Sequence, residues 1–140
     1  MPVLSNNIKT NTFMKKLVLF LLIVPAILLG QSRVGYSYSV IKTELSNQNI
    51  SDIQTDNDNH LLLYKIDKDV SVFYYFKSEI CTTTVMRITV KYKADEIIKL
   101  YNSKYNPINS TTWSAESKLG TVYATFHHNI KGKYYTFTWK

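Results

Sequence analysis

The chain has 140 residues, of which 17 are Lys or Arg and 10 are Asp or Glu, so its formal net charge is +7. We expect a sequence of this length to form one domain with, at most, a short processing segment. Cys81 is the single cysteine, which excludes an intramolecular disulfide, and the fold must therefore be stabilised by packing.

The N-terminal residues have the pattern of an export signal. Lys15 and Lys16 precede an uncharged apolar run of 13 residues at 17–29, and the small residue Gly30 follows. A membrane-spanning helix needs about 20 apolar residues, so this run is too short to be an anchor. The pattern predicts a signal peptide over residues 1–30, a domain over residues 31–140, and a secreted or periplasmic protein whose membrane contact is confined to the signal.

Two details of the signal remain open. Cleavage after Gly30 is expected, and cleavage after Ser32 is the alternative. Residues 1–13 are either an extended n-region, or Met14 is the true start of the chain, because Met14-Lys15-Lys16 resembles a bacterial signal opening.

The first half of the domain predicts one helix and three strands. Residues 34–46 have apolar residues at helical spacing, with Ser37 as N-cap. Residues 46–59 are rich in Ser, Asn, Gln and Asp and predict a loop with a brief extended piece at 50–53. Strands are predicted at 61–66, at 70–77 and for a dozen residues from Cys81, in which Thr82, Thr84, Met86 and Ile88 share the core-facing side.

The second half predicts another helix and three more strands. A stripe of Ala94, Ile97, Ile98, Tyr101 and Tyr105 predicts an amphipathic helix over 94–105. Strands are predicted at 112–117, 121–128 and 133–139. The sequence therefore predicts an α+β fold of two helix-plus-three-stranded-meander units (α-β-β-β-α-β-β-β), forming an antiparallel sheet with the helices on one face.

The aromatic residues are divided between the core and the opposite strand faces. Core positions are expected for most of Tyr64, Phe73, Tyr75, Tyr92, Tyr101, Phe126 and Phe137. Outward positions, available for stacking with a ligand, are expected for Tyr74, Tyr123, Tyr134 or Tyr135.

This order of elements resembles small exported bacterial α+β proteins of the PepSY-like or β-lactamase-inhibitor-like kind. The stretch from Tyr74-Tyr75-Phe76 to Cys81 is also similar to uncharacterised short secreted bacterial proteins. The first resemblance implies a structural or inhibitor role.

Two chemical sites are alternatives to a binding role. Asp56, Asp58 and His60 alternate as calcium ligands can, but Leu61 stands where a calcium loop needs glycine, so a solvated loop is expected and no metal site is predicted. A small hydrolase could use Cys81 as nucleophile, although no catalytic signature surrounds this residue. No enzymatic activity and no cofactor are predicted.

Charge and aromatic residues suggest where a partner binds. Residues 81–140 hold nine basic and three acidic side chains, whereas residues 31–80 hold five and seven. We expect a protein or cell-envelope component as partner and do not expect nucleic acid. The candidate binding residues combine positive charge with outward-facing tyrosines: Arg87, Lys91, Tyr123, Lys131, Lys133 and Tyr135.

Overall fold

The computed structural model describes residues 33–56 and 58–140, so the predicted signal peptide lies outside the described residues. The elements in chain order are α1 (Tyr38–Glu44), β1 (Ile50–Gln54), β2 (Asn59–Lys65), β3 (Val70–Lys77), β4 (Ile80–Ile88), α2 (Lys91–Lys104), β5 (Asn106–Asn109), β6 (Thr112–Ser117), β7 (Gly120–Asn129) and β8 (Tyr134–Trp139). Neither of these two helices is long and apolar enough to cross a membrane.

All eight strands belong to one antiparallel sheet in the order β1-β2-β3-β4-β8-β7-β6-β5. After β4 the chain passes through α2 to the far edge at β5, and β6 and β7 then bring it back to β8. The ladder between β4 and β8 runs from Thr84–Trp139 to Ile88–Tyr135. The two halves of the chain are thus joined by hydrogen bonds in the middle of a single sheet.

The predicted fold of two helix-plus-three-stranded-meander units is wrong, although the antiparallel sheet is confirmed. Just over half of the described residues lie in strands of one continuous sheet, and the two short helices are a minor part. The two edge strands are β5, which was not predicted, and β1, which was predicted only as a brief extended piece at 50–53 within a loop. A strand with only one neighbour and little burial needs no regular apolar alternation, so the polar composition of both segments indicated loops.

One face of the sheet, here called the inner face, carries the hydrophobic core. Its largest fully buried side chains include Trp113, Trp139, Tyr74 and Phe137. Ile41 of α1 and Ala94, Ile97 and Tyr101 of α2 join the same cluster, so both helices pack on this face. Burial of these large apolar groups is the main source of stability in a domain without a disulfide.

Tyr101 of α2 fixes the helix on the second half of the sheet. Its ring is 5.2–5.6 Å from the rings of Trp113, Phe137 and Trp139, and its hydroxyl accepts a hydrogen bond of 3.0 Å from Trp139 Nε1. The predicted apolar stripe is confirmed, but α2 begins at Lys91, three residues earlier than expected. Asp95 therefore lies beyond the first turn and pairs with Lys91 at 3.0 Å.

The register of β4 differs from the predicted alternation. Tyr75 lies opposite Thr83 and Phe76 lies opposite Cys81, so Thr82 is an extra residue that forms a bulge. Cys81 is therefore buried on the same side as Thr84 and Met86, while Thr82 is exposed. The prediction that Thr82 faces the core is wrong for this reason.

The predicted core positions of Phe73 and Tyr75 and the predicted outward position of Tyr74 on β3 are wrong. Tyr74 is fully buried with Val72 and Phe76, whereas Phe73 and Tyr75 lie on the opposite side and Tyr75 is 42% exposed. Tyr92, which was expected in the core, is 60% exposed on α2.

A segment before α1 closes one end of the sheet. The N–H of Gly35 donates to the carbonyl of Cys81 at 2.8 Å, and the N–H of Cys81 donates to the carbonyl of Tyr36 at 2.9 Å. Gly35 has a φ of +92°, and an added Cβ would lie 3.0 Å from Leu119 Cγ. Both the backbone conformation and the close contact therefore require glycine at this position. The predicted N-cap is confirmed, since Ser37 Oγ accepts the N–H of Val40.

Candidate functional site

The second face of the sheet, here called the outer face, is not covered by either helix. Its apolar side chains cluster on strands β1 to β4, where cross-strand register places Phe73 between Leu63 and Val85, and Tyr75 beside Leu61. These side chains are half-buried to exposed, and Ile53 on the edge strand is 46% exposed. They form a contiguous apolar area on the surface of the described domain.

The charges on the outer face are mostly positive. The strand register places Lys65, Lys77, Arg87 and Lys140 on this side, together with one acidic residue, Glu116. Thr125 and Thr138 are cross-strand partners in the same area. The outer face therefore combines apolar contact area with a net positive charge.

An open cleft of about 460 Å³ lies on the outer face over strands β7 and β8. Tyr123, Thr125, His127, Thr138 and Lys140 line it. His127 and its neighbour His128 point to opposite faces, as expected for a strand, and His128 stacks on Tyr135 on the inner side.

The predicted binding residues do not form one surface. Arg87 lies on the outer face with its guanidinium 4.2 Å from the ring centroid of Tyr134, and Tyr123 is 49% exposed on the same face. Lys131 and Lys133 lie in the turn between β7 and β8, at the Arg87 end of the sheet. The structure thus brings Arg87, Lys131 and Lys133 to one end and places Tyr123 at the other.

Lys91 and Tyr135 lie on the helix side. Lys91 is the first residue of α2, and Tyr135 stacks on Phe126 and His128. The apolar residues of β1 to β4 on the outer face were not among the predicted binding residues. The signal that could have found them is the alternation of β3, since Phe73 and Tyr75 share a face with polar Ser71 and Lys77, which should face solvent.

A second cleft, of about 400 Å³, lies on the inner side near edge strand β1. Its walls are Tyr38, Asp52, Gln54, His60 and Glu79. His60 Nε2 is 2.9 Å from Glu79 Oε1, and its Nδ1 is 3.8 Å from Asp52 Oδ1. The rings of Tyr38 and His60 lie 4.3 Å apart. We call this the β1 cleft.

Hydrogen bonds order the carboxylate of Asp52 in the β1 cleft. The hydroxyl group of Tyr38 donates a hydrogen bond to this carboxylate, and Lys42 Nζ lies 3.2 Å from Asp52 Oδ2. Partial burial opposes the ionised form, but both hydrogen bonds and the charge of Lys42 outweigh this effect, so the pKa of Asp52 lies below its usual range. Partial burial and the bond to Asp52 raise the pKa of Tyr38.

The candidate calcium ligands are separated by the fold. Asp56 accepts the N–H groups of Asp58 and Asn59 and so closes the turn between β1 and β2. His60 instead faces the β1 cleft. Among residues 33–56 and 58–140, no group of three His, Cys, Asp or Glu side chains is placed to hold a metal ion.

Cys81 lacks the properties of an activated nucleophile. Its side chain is buried, and its Sγ lies 3.7 Å from the Thr83 carbonyl oxygen and from Thr84 Oγ1. Burial raises the pKa of the thiol to about 11. The thiolate form is therefore disfavoured, and a substrate has no direct access to the sulfur.

These features define the molecule as a single-sheet antiparallel domain with one helix-covered face and one uncovered face. No protein-family profile, curated protein or solved structure matches the chain.

Proposed function

We propose that this protein is an exported binding domain whose outer face binds an anionic partner, either another protein or a component of the cell envelope. The observation that carries the proposal is the uncovered face of the sheet, where apolar side chains lie beside several basic ones. An exposed apolar area of this kind is costly in water and is typical of an interaction surface.

The composition of the outer face supports binding rather than catalysis. Phe73, Tyr75 and Tyr123 offer large contact areas at a low cost in side-chain entropy. Lys77 and Arg87 add positive charge that attracts an anionic partner and fixes its orientation.

Export is the second part of the proposal. The short apolar run behind Lys15 and Lys16 supports it, and Arg33, just after the expected cleavage sites, pairs with Glu44 in the described domain. Mass spectrometry of the exported product should show Gln31 or Arg33 as its first residue. Recovery of the full-length chain from the cytosol would contradict export.

Site-specific photo-cross-linking tests the binding surface. A photoreactive residue is placed at Tyr75 on the outer face or at Tyr92 on the helix side of the exported protein in its native host. We expect one discrete cross-linked adduct from position 75 and none from position 92.

Charge reversal provides the matched comparison. Lys77→Glu combined with Arg87→Glu should reduce the adduct at position 75 severalfold, and raising the salt concentration to 0.5 M should do the same, because screening weakens exposed charge pairs. Lys99→Glu on α2 makes the same type of change away from the outer face and should have no effect. If neither added salt nor the double charge reversal changed the yield of the adduct, the proposal that the partner is anionic would be refuted.

A further inference from the structure

Edge strand β1 presents unpaired backbone groups along one side. Thr55 donates its N–H to the Asn59 carbonyl at 3.1 Å, and Lys65 donates to the Asn49 carbonyl at 3.0 Å, so odd-numbered residues of this segment bond to β2. Backbone bonding alternates along an antiparallel pair. The N–H and C=O groups of Ile50, Asp52 and Gln54 therefore point away from the sheet, where no described strand pairs with them.

The two edges of the sheet differ in how they are protected. β5 is four residues long, contains Pro107 and has a register shift in its pairing with β6. These features block the addition of another strand. β1 has five residues in continuous register with β2 and contains neither Pro nor Lys. Among the described strands, β1 is thus the edge that is open to pairing.

The β1 cleft lies where the side chains of an added strand would point. Ile50, Asp52 and Gln54 share the inner side of the sheet, because their partners are Tyr64, Leu62 and His60. A residue paired with Asp52 would place its side chain on that same side, beside Asp52. Glu79 and the ring of Tyr38 form the further walls of this space.

We propose that β1 binds an extended segment of a partner protein by strand addition, with a Lys or Arg side chain of that segment entering the β1 cleft. Backbone hydrogen bonds to Ile50, Asp52 and Gln54 hold the segment. The carboxylates of Asp52 and Glu79 select the basic side chain, because their two negative charges exceed the one positive charge of Lys42 beside Asp52. An apolar residue two positions further along meets Ile50, which packs at the margin of the core. This site is separate from the outer face and does not depend on it.

The position of Asp52 argues against a second copy of the chain as the occupant. In a two-fold antiparallel pairing of β1 with itself that uses all three outward residues, Asp52 lies opposite Asp52. Like charges directly opposite each other destabilise a strand pair, whereas a basic residue at that position is favoured. The same carboxylate thus disfavours self-pairing and favours a basic partner segment.

NMR titration of the ¹⁵N-labelled protein tests the proposal with defined peptides. The probe is acetyl-Thr-Thr-Lys-Thr-Val-amide, in which Lys can pair with Asp52 and Val with Ile50. Binding should shift the amide signals of Ile50, Asp52 and Gln54 and slow their hydrogen exchange, since these amides gain hydrogen bonds. The peptide with Glu in place of Lys should bind about tenfold more weakly.

Two controls separate the backbone contribution from the side-chain contribution. A peptide N-methylated at its Lys residue cannot donate to the Asp52 carbonyl and should not bind, and this control leaves the protein unchanged. Asp52→Asn should reduce the preference for Lys over Glu, whereas Asp95→Asn on α2 should leave it intact.

Several results would overturn the proposal. The first three are no binding of the Lys peptide at millimolar concentration, equal binding of all three peptides, and signal changes confined to the outer face. The fourth is a dimer in sedimentation whose β1 amides are already protected from hydrogen exchange without peptide.

Discussion

Two buried tyrosines of the core, Tyr74 of β3 and Tyr101 of α2, differ in whether their hydroxyl groups form a hydrogen bond. The hydroxyl of Tyr101 accepts the indole N–H of Trp139, and both residues are at most 1% exposed. The hydroxyl of Tyr74 is buried and has no hydrogen-bond partner among the described residues. Burial raises the pKa of both phenols, so both hydroxyls stay protonated at neutral pH. The same substitution at the two sites should therefore have different effects.

Tyr101→Phe should lower the free energy of unfolding by about 1–3 kcal/mol. The change leaves the indole N–H of Trp139 buried without an acceptor, and that is the costly case for a hydrogen bond. Urea denaturation followed by tryptophan fluorescence measures the loss. A variant as stable as the parent would show that the bond contributes nothing.

Tyr74→Phe should leave stability unchanged or raise it by up to about 1 kcal/mol. The substitution removes a hydroxyl that already carries its desolvation cost, while the ring keeps its packing. The same denaturation experiment applies, with Tyr101→Phe as the matched control. A loss above about 1 kcal/mol at Tyr74 would mean that this hydroxyl has a partner in solution.

At the level of elements, the turn between β2 and β3 is linked to α2 by charge. Lys93 Nζ lies 3.0 Å from Asp67 Oδ2, while Asp67 Oδ1 accepts the N–H groups of Asp69 and Val70. Partial burial opposes ionisation of Asp67, but the bonds from Lys93 and the backbone outweigh it, so the pKa lies below its usual range. The ionised carboxylate therefore stabilises the folded state.

Asp67→Asn should destabilise the protein at pH 7 and make much less difference at pH 3. A lowered carboxyl pKa contributes stability that is complete above the unfolded value, about 3.9, and is lost as the pH falls through the folded value. Asparagine keeps an oxygen that can accept the two backbone bonds, so the variant isolates the charge. Urea denaturation at both pH values measures the difference.

Asp95→Asn is the control for this prediction, because Asp95 pairs with the exposed Lys91 in a salt bridge of small expected value. Its effect should be small at both pH values. An equal destabilisation by Asp67→Asn at pH 7 and pH 3 would contradict the charge argument.

Sequence patterns located the elements whose burial is regular. Residues 70–77 and 112–117 were predicted with the bounds that the structure shows, and the stripe from Ala94 to Tyr101 located α2. β5 could not be predicted, and β1 was predicted only as a brief extended piece at 50–53, since pairing with one neighbour holds polar segments in strands that local preference does not favour. The bulge at Thr82 was also hidden, because the sequence continues to alternate through it.

For the whole molecule, the distribution of charge depends on the sheet rather than on chain order. The positive charge of residues 81–140 suggested a binding surface in the second half, but Lys65 and Lys77 from the first half also lie on the outer face. Lys91, from the second half, lies on α2 instead. The pairings of β3 with β4 and of β4 with β8 bring both halves onto one surface, and the sequence does not show the pairing of β4 with β8.

The β1 cleft was partly visible in the sequence. His60 was one of the candidate calcium ligands, and Asp52 belongs to the polar segment 46–59 that precedes it. The β1–β2 ladder brings the two side chains together. Glu79 and Tyr38 join them from the β3–β4 turn and from α1. Contacts between residues so far apart in the chain depend on the completed fold.

We propose that the outer face is uncovered in the isolated protein and occupied in the cell. Hydroxyl-radical labelling with mass spectrometry can compare the purified protein with the exported protein in intact cells. We expect Tyr75 and Tyr123 to react when purified and to be protected in cells, Tyr92 to react in both, and the buried Tyr74 to react in neither. Equal labelling of Tyr75 and Tyr123 in the two samples, or protection of Tyr92 alone, would contradict the claim.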